Sequence, residues 1–273
     1  MSAYTPQRIV CLTTETTEVL YRLGMQDKIV GISGYTTRPA NARRDKPKVS
    51  AFSTANIEKI LTLAPDLVLT CTDLQADIAA TLIRAGIQVH AFNQRTITGI
   101  FSMIATLGAM VDSTEAATQL ITELELKIAQ TKAAAEFLPA KPRIYFEEWN
   151  DPMISGINWV SELISIAGGE DCFAELASQA SARDRVIQDP QWVVERAPDI
   201  IIGSWCGKRF QPEQVMARPG WHTIPAIANG DIHEIKSADI LQPGPSVITE
   251  GLSQLQAIIH RWGSQHAHKK HWS

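Results

Sequence analysis

No apolar run in this chain approaches the roughly 20 residues that a membrane helix requires. The longest candidate, residues 100–111, contains Ser102 and Thr106 and reads as a buried helix face. An excess of base is also missing. Lys plus Arg number 25 against 29 Asp plus Glu, a net charge of −4, which excludes a protein that grips nucleic acid through its phosphates. The single basic cluster, residues 43–48 (RRDKPK), is interrupted by acid and proline and reads as a solvated loop. Only four cysteines occur, Cys11, Cys71, Cys172 and Cys206, with neither CxxC spacing nor a histidine at zinc-finger distance. Free, mostly buried thiols are expected, and no metal site. His266, His268 and His271 crowd the carboxyl end, where a solvated tail is the simpler reading.

The signatures of common enzymes are absent too. No GxSxG elbow, GxxxxGK[ST] phosphate loop or GxGxxG fingerprint is present. Glu147 and Glu148 are adjacent on a strand-like segment, so their side chains diverge and make a poor acid/base pair. No catalytic residue and no catalytic cofactor is expected. The first residues carry no basic segment, apolar stretch or small-residue cleavage site. The expectation is a cytoplasmic protein if Met1 is the native start; the alternative is a periplasmic one whose leader has been removed.

What the chain does contain is an internal echo. Residues 56–70 (NIEKILTLAPDLVLT) recur at an offset of 133 as residues 189–203 (DPQWVVERAPDIIIG). In each copy Asn56 or Asp189 can cap a short helix that stops before proline. The Ala-Pro-Asp turn then feeds a β-branched run suited to a strand buried on both faces. Strand-like runs at 9–12 and 143–146 open the two halves. Each is followed by an amphipathic helix, at 17–23 and 159–166, ending at Gly24 or at Gly168 and Gly169. Later strands fall at 87–92 and 231–235. Between the halves, residues 98–111 and 114–138 have helical apolar spacing, with Leu120, Ile121, Leu124 and Ile128 on one stripe. The fold expected is therefore α/β, with two parallel-sheet lobes, residues 1–112 and 141–273. A single long backbone helix, residues 113–140, joins them, and a ligand cleft lies between the lobes. Such folds place ligands at the carboxyl ends of their strands.

The strand-end loops then supply the candidate contacts. Thr13, Thr14 and Glu15 follow the first strand, where capping alone also explains the hydroxyls. Tyr35 follows the second, in a loop with Arg38, and Phe52 lies after the third. In the other half, Glu148 and Trp149 follow the opening strand, while Trp205, Cys206 and Lys208 follow the repeated one. Asp239, Leu241 and Gln242 follow the last. Seven tryptophans is a high count. Trp149 and Trp205 at strand ends, with Trp159 nearby, suggest an aromatic wall for a broad apolar ligand.

These stretches resemble a known family. Residues 8–20 (RIVCLTTETTEVL), 27–33 (DKIVGIS) and the 56–69 segment are similar to the substrate-binding proteins of cobalamin and ferric-siderophore ABC importers. The likeness runs from about residue 7 to about residue 262 and is nearest to the cobalamin-binding branch. It implies a non-catalytic, monomeric protein holding cobalamin or a related corrinoid between two lobes. Ligand positions transfer loop by loop to Thr13, Thr14, Glu15, Tyr35, Phe52, Glu148, Trp149, Trp205, Cys206, Asp239, Leu241 and Gln242. Haem or a ferric siderophore suits the same loops, and an anionic chelate would draw on Arg38, Arg95, Arg183, Lys208 or Arg209. The family also presents one Glu on each lobe to the arginines of an importer permease. Glu58 matches the first; the repeat places Gln191 at the second, with Glu195 a turn away.

Overall fold

The computed structural model describes residues 5–269, with side chains to residue 265. His266, His268 and His271 thus lie outside the residues whose side chains are described. The chain forms two compact units that divide between Leu124 and Glu125, inside the 22-residue helix Thr114–Ala135.

The first unit is a five-stranded sheet of β1 (Ile9–Cys11), β2 (Ile29–Ser33), β3 (Lys48–Ser50), β4 (Leu67–Cys71) and β5 (Val89–Phe92). Its order is β3-β2-β1-β4-β5, and every pairing is parallel. The chain builds outward from β1 to β3, then crosses to the far side of β1 for β4 and β5. That reversal makes the carboxyl ends of β1 and β4 the topological switch point. The central strands carry no polar face: β1 is buried throughout and β4 at its first four residues, as a sheet covered by helices on both sides demands. Val10, Leu12, Val49, Ile60, Val68 and Leu82 form its core.

The second unit contains β6 (Arg143–Asn150), β7 (Met153–Ser155), β8 (Glu170–Asp171), β9 (Ile200–Gly203) and β10 (Ile232–Glu234). The order is β10-β9-β6-β7, with β8 beside the start of β6. Its switch point lies between β6 and β9. The sheet is parallel except for one strand. β6 runs past its parallel register with β9 and folds back at Asp151 and Pro152 into antiparallel β7. The core gathers Tyr145, Phe173, Trp205, Phe210 and Trp221. Gly203 ends β9 because Phe210 lies where its side chain would be; a Cβ there would sit 2.0 Å from the Phe210 ring.

The repeat proves to be one latch built twice. Asn56 Oδ1 accepts from the Lys59 amide at 2.9 Å, and Asp189 Oδ1 from the Gln191 amide at 2.8 Å. Each helix ends on an alanine in the left-handed region, Ala64 and Ala197, both at φ +43. The following aspartate then takes amides at the start of the unit's first strand. Asp66 accepts from Gln7 and Arg8, and Asp199 from Arg143. The same arginines reach back to the helix end: Arg8 donates to the carbonyls of Leu63 and Ala64, Arg143 to that of Ala197. The turn is thus bonded on both sides, which supports a conformation that L-residues otherwise avoid at about 1–2 kcal/mol.

Candidate ligand-binding site

In the first unit, the loop after β1 is organised by its own hydroxyls. Thr13 caps the helix Thr14–Arg22, its Oγ1 lying 2.8 Å from that of Thr16. Glu15 in the first helical turn is 5% exposed; Thr14 Oγ1 donates to it at 3.2 Å and Gln94 Nε2 at 3.4 Å. Burial raises its pKa above the usual carboxylate value, against hydrogen bonds, those from Thr13, Thr14 and Gln94 among them, that pull it down. The folded chain therefore holds this proton more tightly than the unfolded chain does. Glu15's contribution to stability is present below the unfolded carboxylate pKa and is lost as pH rises through the folded value. Glu15→Gln, which does not ionise, is expected to melt higher than the parent at about pH 7 and no higher at about pH 4. An equal difference at both would show that burial does not govern this group.

Around this centre stand three apolar side chains that the fold leaves in solvent. Tyr35 after β2 is 53% exposed, Phe52 after β3 is 55% and Leu74 after β4 is 54%. Each loop is tied down. Arg43, expected to lie in a solvated loop, donates to the carbonyls of Gly34 and Thr36 on either side of Tyr35. Gln75 is almost fully buried, and its amide joins three strand-end segments. Nε2 donates to the Phe52 carbonyl at 2.9 Å and the Leu12 carbonyl at 3.3 Å, while Oε1 accepts from the Cys71 amide at 3.1 Å. Beside it Thr72 sits at φ +46. Gln75 and Leu74 carried no distinguishing signal, since a polar loop residue reads as solvated until its partners are known. A shallow hollow of about 520 Å³ lies along outer β3 between Lys48 and Lys59, two strands from the switch point.

In the second unit, Glu147 and Glu148 diverge as their strand requires. Glu147 is fully buried and receives Arg218 Nη1 at 2.5 Å and Nη2 at 3.0 Å, the Trp205 indole at 2.9 Å and the Tyr145 phenol at 2.7 Å. Burial, then the Glu147 carboxylate, push the Tyr145 pKa well above its usual value. Glu148 points the other way and binds Arg185 through both oxygens, at 2.6 and 3.1 Å. Arg185 is itself 2% exposed and also donates to the Ser155 carbonyl.

The aromatic rim is narrower than expected. Trp205 is 2% exposed because its indole is spent on Glu147 and its ring packs edge-on against Phe210, centroids 5.0 Å apart. Trp159 is buried with its indole on the Ile240 carbonyl. Trp149 alone of the three is half-buried, its indole on the Asp151 carbonyl. Cys206 is exposed; Cys11, by contrast, is buried, and burial pushes its thiol up to about 12. All four cysteines are free. Asp239 accepts from Gln254 at 3.0 Å, and Leu241 and Gln242 are half-buried beside it. Glu58 and Gln191 are exposed in the first turns of Ile57–Thr62 and Gln191–Arg196. Beside Gln191, Trp192 is 39% exposed, a feature the sequence did not single out. No described group of His, Cys, Asp and Glu is arranged to hold a metal, and no described helix is long and apolar enough to cross a membrane.

Each sheet has a switch point at the carboxyl ends of its strands, and polar and aromatic side chains lie at that end of each. A family model described as periplasmic binding protein matches residues 9–238. The chain belongs to the periplasmic binding protein family. This is a family of non-catalytic substrate-binding proteins, which agrees with the missing enzyme signatures. The cobalamin-binding protein of Halobacterium salinarum is 27% identical over 267 residues, covering 93% of this binding protein and 70% of the relative. An ABC transporter substrate-binding lipoprotein of Bacillus subtilis, YvrC, is 26% identical over 264 residues, covering 93% and 80%. The fold matches the apo periplasmic haem-binding protein RhuT of Roseiflexus sp. RS-1 with a TM-score of 0.81 at 21% identity, covering 94% and 99% of the two chains.

Proposed function

We propose that this protein is the solute-binding component of an ABC importer and carries cobalamin or a related corrinoid. The ligand would be held between two lobes, residues 1–112 and 141–273, joined by the helical segment 113–140. The observation that carries this reading is the trio Tyr35, Phe52 and Leu74, each more than half exposed at one edge of the first sheet. Apolar side chains gathered at strand ends and left in solvent mark a surface that a broad ligand covers. Thr13, Thr14 and Glu15 would meet peripheral amides at the same edge. On the other lobe Trp149, Asp239, Leu241, Gln242 and Cys206 would complete the contact, with Glu148 and Trp205 supporting it from behind.

Glu58 and Gln191 are the proposed permease-facing positions. The asymmetry between a carboxylate and an amide predicts that one of the two contacts is not an ion pair. The working compartment would be that of the exported relatives, and the protein would act as a monomer.

Titration with cyanocobalamin is expected to give a saturable one-to-one signal in calorimetry and in the corrin absorbance. Flat titrations with cyanocobalamin, dicyanocobinamide and haem would remove the reading. Haem or a ferric siderophore is the second reading, and the observation that favours it is the cation Lys208.

A further inference from the structure

Lys208 belongs to the loop after β9, at the switch point of the second sheet, and its ammonium is held in place. Nζ lies 4.3 Å from the centre of the Trp149 ring and 4.8 Å from that of Trp205, and it donates to Asn150 Oδ1 at 2.5 Å. A lysine on a free loop keeps several rotatable bonds, and ordering them costs more than an exposed ion pair returns. Here two indole faces and an amide have already done the ordering. The side chain nevertheless remains exposed, so its remaining N–H donor capacity faces solvent.

The two carboxylates at the end of β6 are taken up by arginines. Glu147 is spent on Arg218 and Glu148 on Arg185. No carboxylate among the described residues forms an ion pair with Lys208. Arg209, also exposed, adds a second positive charge beside it. Two carboxylates at the end of β6 are thus each paired with an arginine, and the ordered ammonium of Lys208 is left without such a pair.

We propose that Lys208 is a specificity-determining residue that recognises an ionised carboxylate on the rim of the bound macrocycle. This rests on the reading of the protein as a carrier of a corrinoid or haem, and it predicts that a member of that class bearing free carboxylates binds more tightly than its amidated or esterified counterpart. A pre-ordered ammonium facing an anion forms a charge-assisted hydrogen bond without the usual ordering cost. A fully amidated ligand can only accept from it as a neutral carbonyl.

The test pairs probes that share a ring and differ in this group: dicyanocobyrinic acid against dicyanocobinamide, and haem against haem dimethyl ester. Affinities are measured by calorimetry for the full chain and for Lys208→Met and Lys208→Arg. The expected result is a preference of about tenfold for the carboxylate member of at least one pair. That preference is lost in Lys208→Met and kept in Lys208→Arg, while affinity for the amide or ester member changes little. If carboxylate and neutral members bind the parent equally, or if Lys208→Met keeps the preference, the proposal is overturned while the carrier reading stands. If none of the four probes binds the parent, the proposal is overturned, and the carrier reading falls with it only when cyanocobalamin also gives a flat titration.

Discussion

Replacement of Arg218 by methionine is expected to cost about 3–5 kcal/mol of stability, the range for stripping one partner from a buried ion pair. Glu147 has no exposed surface and lies on β6 among Tyr145, Trp205, Phe210 and Trp221. Its two oxygens take four donors, and only the two from Arg218 bring a positive charge. Without them a carboxylate stays in an apolar cluster with neutral donors alone, or takes up a proton, and either outcome disfavours the folded state. The guanidinium also stacks 4.5 Å from the Trp221 ring, so packing is lost with the charge. Urea unfolding of the variant is the measurement. The double change Glu147→Gln with Arg218→Met is expected to recover part of the loss, because no unpaired charge remains. A single Arg218→Met variant within 1 kcal/mol of the parent would show that this ion pair does not hold the core of the second unit together.

That network also shows where sequence reading stops. The lobes were legible because their signals are local: fully apolar runs for β4 and β9, a capping Asn or Asp, an Ala-Pro-Asp turn, all repeated at one offset. The antiparallel return of β6 was hidden because residues 143–150 look the same whether the chain leaves the sheet or folds back. Trp149 and Trp205 both stand at strand ends, and nothing nearby in sequence separates them. The partner of the buried Trp205 indole is Glu147, 58 residues away. Glu148 is bidentate to Arg185, 37 residues on, a pairing that nothing nearby in sequence announces. Tyr35 and Phe52, by contrast, needed only their place after a strand, and both are exposed at that edge. Side chains whose partners lie far along the chain were the ones whose contacts the sequence did not show.

Gln75 is the most consequential of those, and Gln75→Leu is expected to weaken ligand binding by at least about tenfold while costing roughly 1–3 kcal/mol of stability. Leucine is close in size, so the packing loss is small and the polar loss is isolated. The buried carbonyl of Leu12, the part-buried carbonyl of Phe52 and the amide of Cys71 each lose this partner. Those groups belong to the ends of β1, β3 and β4, so the variant frees at once the Phe52 loop, the strained turn at Thr72 and the backbone just before Thr13. Phe52 and Leu74 then have no fixed separation, and a rigid ring gains less from a wall it must first order. Gln75→Glu divides the effect. It keeps an acceptor for the Cys71 amide but cannot donate to either carbonyl while ionised, so hydrogen exchange at Cys71 should stay slow there and accelerate in Gln75→Leu. Affinity should fall in both, because the Phe52 carbonyl is released in both. Calorimetry with cyanocobalamin well below the melting temperature separates this from global unfolding: a folded Gln75→Leu protein that binds as tightly as the parent would show that the rim holds its shape without the amide.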